Sequence, residues 1–419
     1  DGLTSEMSDK ERKFLTGTES QLEQQSEAGE TKQRSNYLDT GSQDDGLIFK
    51  PLSLLGKTIQ PGKIVRLHWV ASETLYGSQL DTPVHVIRGE KAGITLCLTA
   101  AVHGDELNGV EIIRQIVNDI SPSELSGTLI GVPIVNLFGF TRGTRYLPDR
   151  RDLNRFFPGN PNGSAASRIG YSFFEEIIRH CDRLVDFHTG SMNRTNMPQL
   201  RANLQVPEIM EFTRKFGSTA VLHSRKLKGN LRTAATNAGI PAVALELGEP
   251  GSLQKKHIKD GVKIVRTLLS KLDMIKHHRG RSEPQPLYYS SRWVRVNNGG
   301  LLITEVKLGE RIRKGTILGT LINPLSNETF EVVSPYSGRL LGMALNQFML
   351  PGYAAFNIGL VEDEATIIVD RQSIECSGME MDPEENSEEI DCASEDGEEM
   401  GHSEAQLDDL TGTEESELH

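Results

Sequence analysis

Residues 103–106 read His-Gly-Asp-Glu and follow directly on the apolar run 94–102, ITLCLTAAV. An imidazole that ends a strand, with a carboxylate in the first turn of a following helix, puts two metal-capable groups at one edge of a sheet. In open α/β sheets that edge, beyond the carboxyl ends of the strands, is where ligands collect. His188 stands in the same relation to the run 183–187, in the phrase LVDFHTG. Two histidines and one glutamate are a recognised protein set for a catalytic zinc, with one position left for water. Each group alone also has a plainer account. Glu106 could merely favour a helix N-terminus, His103 could be a strand-end hydrogen bonder and His188 a satisfied structural histidine. Asp186, two residues before His188, could orient a histidine ligand if the strand stays regular.

Another apolar run, 241–247, ends in ALELGEP and brings Glu246 to the same edge. A glutamate between Leu245 and Leu247 is costly to bury without a partner or a task. Partial desolvation would raise its pKa toward the range that suits a general base. A strand-end ion pair is the alternative, and Glu249, beyond the glycine turn, is a neighbouring candidate for the same role. The segment 141–160 crowds Arg142, Arg145, Arg150, Arg151 and Arg155 into one loop with Asn154. Guanidiniums cannot shed their charge, so they need acidic company. Planar, bidentate recognition of a substrate carboxylate and polarisation of a scissile carbonyl are the functional readings. Pairing with Asp149 and Asp152 on the surface is the bland one, and it suits Arg150 or Arg151.

These groups need a scaffold that brings three strand ends and the arginine-rich loop together. Between 64 and 275, strand-like runs (64–70, 83–88, 94–102, 129–135, 183–187, 219–222, 241–247) alternate with helix-like ones (105–119, 164–181, 207–217, 230–238, 257–275). In 164–181, Ile169, Phe173, Ile177 and Cys181 recur every four residues on one face. The expected fold is α/β, a mixed, mostly parallel sheet with helices on both faces. From 286 to 369 the helical period disappears and glycines recur between short β-branched and aliphatic runs, which predicts a small all-β domain. Its phrases VKLGERIRKGTILGTL and VVSPYSGRLLGMALNQFMLPGYAAFNIG resemble a barrel-sandwich module of the biotinyl-lipoyl type. Such carriers attach a cofactor to a lysine at an exposed hairpin, and 323–330 holds no lysine, so the shape is expected without the carrier function.

The length, 419 residues, suits about two folded domains. The net charge of −13 is unevenly spread. Residues 370–419 carry 19 acidic side chains against one arginine, and 1–46 carry 11 acidic against 5 basic, leaving 47–369 at +11. The expected division is a disordered tail over 1–46, a catalytic domain over 47–280, the β domain over 285–369 and an acidic disordered tail over 370–419. A basic folded part suits a small anionic substrate. Basic residues also gather in 271–281, but no nucleic-acid-binding signature accompanies them, so no nucleic-acid partner is expected. No apolar run reaches eighteen residues, so no membrane span is expected. Cys97, Cys181, Cys376 and Cys392 form no metal-binding spacing and read as the usage of a reducing compartment, hence a cytoplasmic protein.

HGDE, DLNR, DFHTG and LELGEP, in this order and with these gaps, resemble the succinylglutamate desuccinylase and aspartoacylase family, whose fold is similar to that of zinc carboxypeptidases. The resemblance covers about 47–369 and is nearest to bacterial members with a lipoyl-like C-terminal domain. It implies one zinc ion per chain held by His103, Glu106 and His188, with Glu246 as general base. It places Asn154 and Arg155 on the substrate carboxylate and Arg145 on the scissile carbonyl, with Arg142 and Arg150 as competitors. No counterpart is present for the additional arginine by which aspartoacylase selects an aspartate side chain, which argues against N-acetylaspartate. The implied activity is zinc-dependent hydrolysis of the amide bond in a small N-acyl amino acid. A metallocarboxypeptidase trimming acidic residues from a peptide would use the same groups in a more open cleft. A non-catalytic binding protein with a vestigial metal site would not need all four.

Overall fold

The structure, a computed structural model, describes residues 50–73, 79–191, 193–276 and 285–360. Both predicted tails, Cys376 and Cys392 lie outside the described residues. In chain order the strands are β1 (Leu52–Leu54), β2 (Lys57–Ile59), β3 (Lys63–Glu73), β4 (Gln79–Arg88), β5 (Lys91–Thr99), β6 (Ser126–Val132), β7 (Arg183–His188), β8 (Arg194–Ala202), β9 (Ala220–His223) and β10 (Ala242–Gly248). They continue with β11 (Leu287–Tyr288), β12 (Ser290–Arg295), β13 (Gly300–Thr304), β14 (Arg311–Ile312), β15 (Ile317–Ile322), β16 (Thr329–Val333), β17 (Gly338–Ala344), β18 (Phe348–Met349) and β19 (Ala354–Leu360).

The large sheet runs β12-β19-β17-β8-β10-β7-β5-β6-β4-β3. Its centre is parallel: β10 with β7, β7 with β5, and β5 with β6. Antiparallel strands flank that centre, β4 and β3 on one side and β8 on the other. Side-chain alternation along the central strands feeds two cores. Cys97, Leu184 and Ala242 face Phe173, Phe174 and Leu231 from the helices Ala165–Glu176 and Leu231–Asn237. Leu96, Leu98, Val185, Phe187 and Val243 face Ile112, Ile116, Phe212, Val265 and Leu268 from the helices Asn108–Asp119, Pro207–Arg214 and Lys255–Lys271. Period-2 strands and period-3.6 helices thus bury matching faces on both sides. The expected α/β fold is the observed one. Among the described residues, no helix is long and apolar enough to cross a membrane.

Four local expectations differ from the structure. The helix predicted over 105–119 begins at Asn108, so Glu106 stands in the turn before it, where its backbone N–H donates to His103 O at 3.1 Å. The helix predicted over 164–181 ends at Glu176 and gives way to a short 3-10 turn, although Ile169, Phe173, Ile177 and Cys181 are all buried as expected. Strand β8 was not legible in RTNMPQLRA, where Pro198 interrupts a polar run. Proline has no N–H for a ladder. The outer edge of β8 is shared, with β17 pairing 194–196 and β9 pairing 199–202, so Pro198 sits at the break between two partners. Finally, Cys97 and Cys181 are joined in a disulfide across 84 residues of sequence, which corrects the reading of the cysteines as unpaired. Their spacing holds no hint of it, because only the pairing of β5 with β7 brings the two stretches together.

The segment 285–360 is all β. The sheet β16-β15-β13-β18 packs through Leu302, Leu318, Leu321 and Val332 onto Val294, Leu340, Phe356 and Ile358 of β12, β17 and β19, forming a sandwich. The hairpin between β15 and β16 carries the lysine-free stretch, with Leu325 almost fully exposed. One face of this sandwich is continuous with the large sheet, since β17 pairs antiparallel with β8.

Candidate metal centre and active site

His103 follows β5, and the chain reaches it through Ala101, a non-glycine residue at φ 49°. Gly104 is required by close approach: a side chain there would overlap the backbone of Gly139 and Phe140. The resulting tight turn brings Glu106 under His103, with His103 Nδ1 2.8 Å from Glu106 Oε1. His188 ends β7 and places its Nδ1 2.9 Å from the other oxygen, Glu106 Oε2, which also accepts from Thr189 N at 3.1 Å. Two imidazole nitrogens and one carboxylate therefore converge, and the ligating atoms of His103, Glu106 and His188 lie within 4.8 Å of one another.

Each imidazole is also held from behind. Asp186 Oδ2 lies 2.7 Å from His188 Nε2, and its other oxygen accepts from Thr99 Oγ1 at 2.7 Å. Asp152 Oδ1 lies 3.1 Å from His103 Nε2. Asp186 was foreseen in that role on condition that β7 stayed regular, and it does. Asp152 was missed: in the sequence it reads only as a charge partner for the arginine loop. Carboxylates on the far ring nitrogens fix the ring orientation and leave both Nδ1 atoms facing inward. Burial opposes charge on both imidazoles, but the surrounding carboxylates win. Glu106, with Asp152 bonding in the same sense, raises the pKa of His103 against the opposing Arg145, and Asp186 with Glu106 raises that of His188 well above its ordinary value. Burial likewise opposes ionisation of Glu106, yet His103 and His188 hold its carboxyl far below the usual range. Asp152 is held down, against burial, by His103, Arg145 and Arg155. Three carboxylates around two imidazoles demand positive charge, which protons or a divalent ion can supply, and metal binding displaces the protons. The buried N, N, O donor set and its outer carboxylates fit a divalent ion of the zinc type.

The remaining predicted residues surround the same cleft, which His103, Glu106, Arg145, Asn154, Arg155, His188 and Glu246 all line. Glu246 is the register partner of His188 across β10 and β7. Its carboxylate meets Arg201 Nε at 3.4 Å and accepts from Asn196 Nδ2 at 3.1 Å. Arg145 donates to Glu106 at 3.3 Å and to Asp152 at 3.0 Å. Its competitors Arg142 and Arg150 are exposed and do not line the cleft, and Arg151 is exposed beside Asp149. Asn154 accepts from Leu231 N, while Arg155 donates to the Asn154 carbonyl and lies 3.9 Å from Asp152. Asn196, Arg201 and Arg232 also line the cleft and were not singled out in the sequence. The first two sit on the unrecognised strand β8. Arg232 opens the helix Leu231–Asn237, and its guanidinium donates to Ser224 and to the Arg225 carbonyl.

Residues 92–272 match the sequence pattern of the family described as the succinylglutamate desuccinylase/aspartoacylase catalytic domain. Over this stretch the chain resembles that family. It is 26% identical over 258 residues to the N-alpha-acetyl-L-2,4-diaminobutyric acid deacetylase of Halomonas elongata, covering 59% of this chain and 75% of that protein. It is 27% identical over 191 residues to a succinylglutamate desuccinylase of Pseudomonas aeruginosa, covering 44% of this chain and 51% of that one. The chain thus spans about half the length of that desuccinylase. Among solved structures, the product-bound ectoine utilization protein EutE of Ruegeria pomeroyi shares the fold with a TM-score of 0.63 at 23% identity, covering 71% of this chain and 95% of that one. A succinylglutamate desuccinylase from a Silicibacter species gives 0.64 at 23% identity, covering 77% and 100%.

Proposed function

We propose that this chain is a zinc-dependent deacylase that cleaves the amide bond of a small N-acyl amino acid. The observation that carries the reading is the convergence of His103, Glu106 and His188, each imidazole backed by its own carboxylate. His103, Glu106 and His188 would hold one zinc ion, which when bound would supply Lewis acidity to lower the pKa of water and polarise the acyl carbonyl. Glu246 accepts a proton from the attacking water and returns it to the amine as the carbon–nitrogen bond breaks. Arg145 offers a guanidinium N–H to the oxygen on which negative charge develops. Arg155 and Asn154 engage the substrate carboxylate, so that binding orients the reacting carbonyl. The curated relatives support the substrate class, because the names of both describe removal of an acyl group from an acylated amino acid.

The test is a screen of N-acetyl and N-succinyl amino acids alongside short peptides ending in Glu or Asp, using zinc-loaded protein and a Glu246→Gln control. Release of free amino acid from the N-acyl set, with a kcat loss of about 100-fold or more in the control, is expected. Turnover confined to the peptides would replace the deacylase with a carboxypeptidase. Near-normal turnover by Glu246→Gln with zinc still bound would dismiss the assigned base.

A further inference from the structure

The segment 285–360 folds as a β sandwich whose β15–β16 hairpin lacks the lysine that a carrier needs, and its contacts show another use for it. Strand β17 pairs with β8 at Gly342–Asn196, Met343–Thr195 and Ala344–Arg194. Around this short ladder the module grips the start of β8. Leu345 N and Gln347 Nε2 donate to the carbonyl of Asn193 at 2.8 and 2.9 Å. Arg194 donates from Nε to the Ala354 carbonyl at 3.2 Å, and its guanidinium lies 4.9 and 5.0 Å from the ring centroids of Trp293 and Tyr353. The residue at the end of this grip, Asn196, is buried and donates to Glu246 Oε2.

We propose that Asn196 is a positioning residue for Glu246, and that the β module, through Gly342, sets where Asn196 points. The proposal rests on Glu246 as the base in the reading above. Glu246 stands beside a register shift, for β10 pairs Glu246 with Gln199 but Gly248 with Asn196. A carboxylate next to an irregular ladder step gains direction from a fixed donor, and a base must be held close to its working geometry. Gly342 is the point of control. A Cβ built there would overlap the side-chain oxygen of Asn196, while its next neighbour, the Thr195 carbonyl, stays at an ordinary 3.5 Å. A methyl at 342 therefore acts first on the Asn196 amide and leaves the backbone ladder in place. The module takes part in the catalytic unit, and its hairpin needs no lysine to do so.

Gly342→Ala, Asn196→Ala and the double variant are compared in the full zinc-loaded chain, using any N-acyl amino acid that the wild type hydrolyses. Either single change is expected to lower kcat about 10- to 100-fold, with KM and bound zinc near wild-type values. In the double variant Gly342→Ala should add almost nothing, since the overlapping side chain is gone. A wild-type kcat in Asn196→Ala, or an undiminished penalty from Gly342→Ala in its presence, overturns the proposal. Crystal structures of zinc-loaded wild type and Gly342→Ala give a reading independent of turnover. An Asn196 amide still bonded to Glu246 in the variant overturns the proposal without touching the hydrolase assignment, whereas an active Glu246→Gln variant strikes that assignment itself. If Gly342→Ala does not fold, Asn196→Asp, which removes the donor at constant size, is compared with Asn196→Ala as a second single variant, and a wild-type kcat in it overturns the proposal.

Discussion

Replacing Asp186 by Asn isolates the contribution of a buried carboxylate to metal affinity. Asp186 is 1% exposed and spans 2.7 Å to His188 Nε2 and 2.7 Å to Thr99 Oγ1. Asparagine keeps the size and both hydrogen bonds: its oxygen accepts from the imidazole, and its NH2 donates to a Thr99 hydroxyl that reorients to accept. What disappears is the negative charge behind the ring, which makes Nδ1 a stronger donor toward a cation. Loss of such an outer partner weakens metal binding about 10- to 100-fold, or about 1.4 to 2.7 kcal/mol. Asp152→Asn is expected to weaken zinc binding less, because Asp152 is more exposed, sits 3.1 Å from His103, and shares its charge with Arg145. The assay is competition against a chromophoric zinc chelator at fixed pH, with thermal melts to confirm that both variants fold. A folded Asp186→Asn protein that binds zinc within twofold of wild type would refute the reasoning.

Two further outcomes follow from the same geometry. Arg155→Ala should raise KM for N-acyl amino acids about tenfold or more while changing kcat less, as expected for a lost charge-assisted contact to substrate, with partial recovery in Arg155→Lys; steady-state kinetics decides it. The Cys97–Cys181 bond closes a loop of 84 residues, so the double alanine variant should lose about 4 to 5 kcal/mol in guanidinium unfolding, and a loss below about 1 kcal/mol would show that loop closure contributes little here.

Much of the scaffold was legible because it rests on local periodicity. The apolar runs ending before His103, at His188 and around Glu246 are strands in the structure, and the alternating helices cover both faces of the sheet. The type of each candidate ligand and its place at or just beyond a strand end could be read from HGDE and DFHTG, since a strand's end is a local property. Strand β8 escaped notice because its signal is non-local: its polar sequence and Pro198 make sense only once β10, β9 and β17 supply its edges.

The sequence by itself determined which side chains stand at the strand ends and that the fold is α/β with an added β module. Tertiary structure alone decided which atoms meet. It turned both Nδ1 atoms toward Glu106, recruited Asp152 behind His103, put Arg145 rather than Arg142 or Arg150 in the cleft, joined Cys97 to Cys181, and carried the β module to Asn196. The physical reason is separation: apart from His103 and Glu106, which share one turn, these partners lie tens of residues to well over a hundred apart, and only strand pairing and loop packing set their distances.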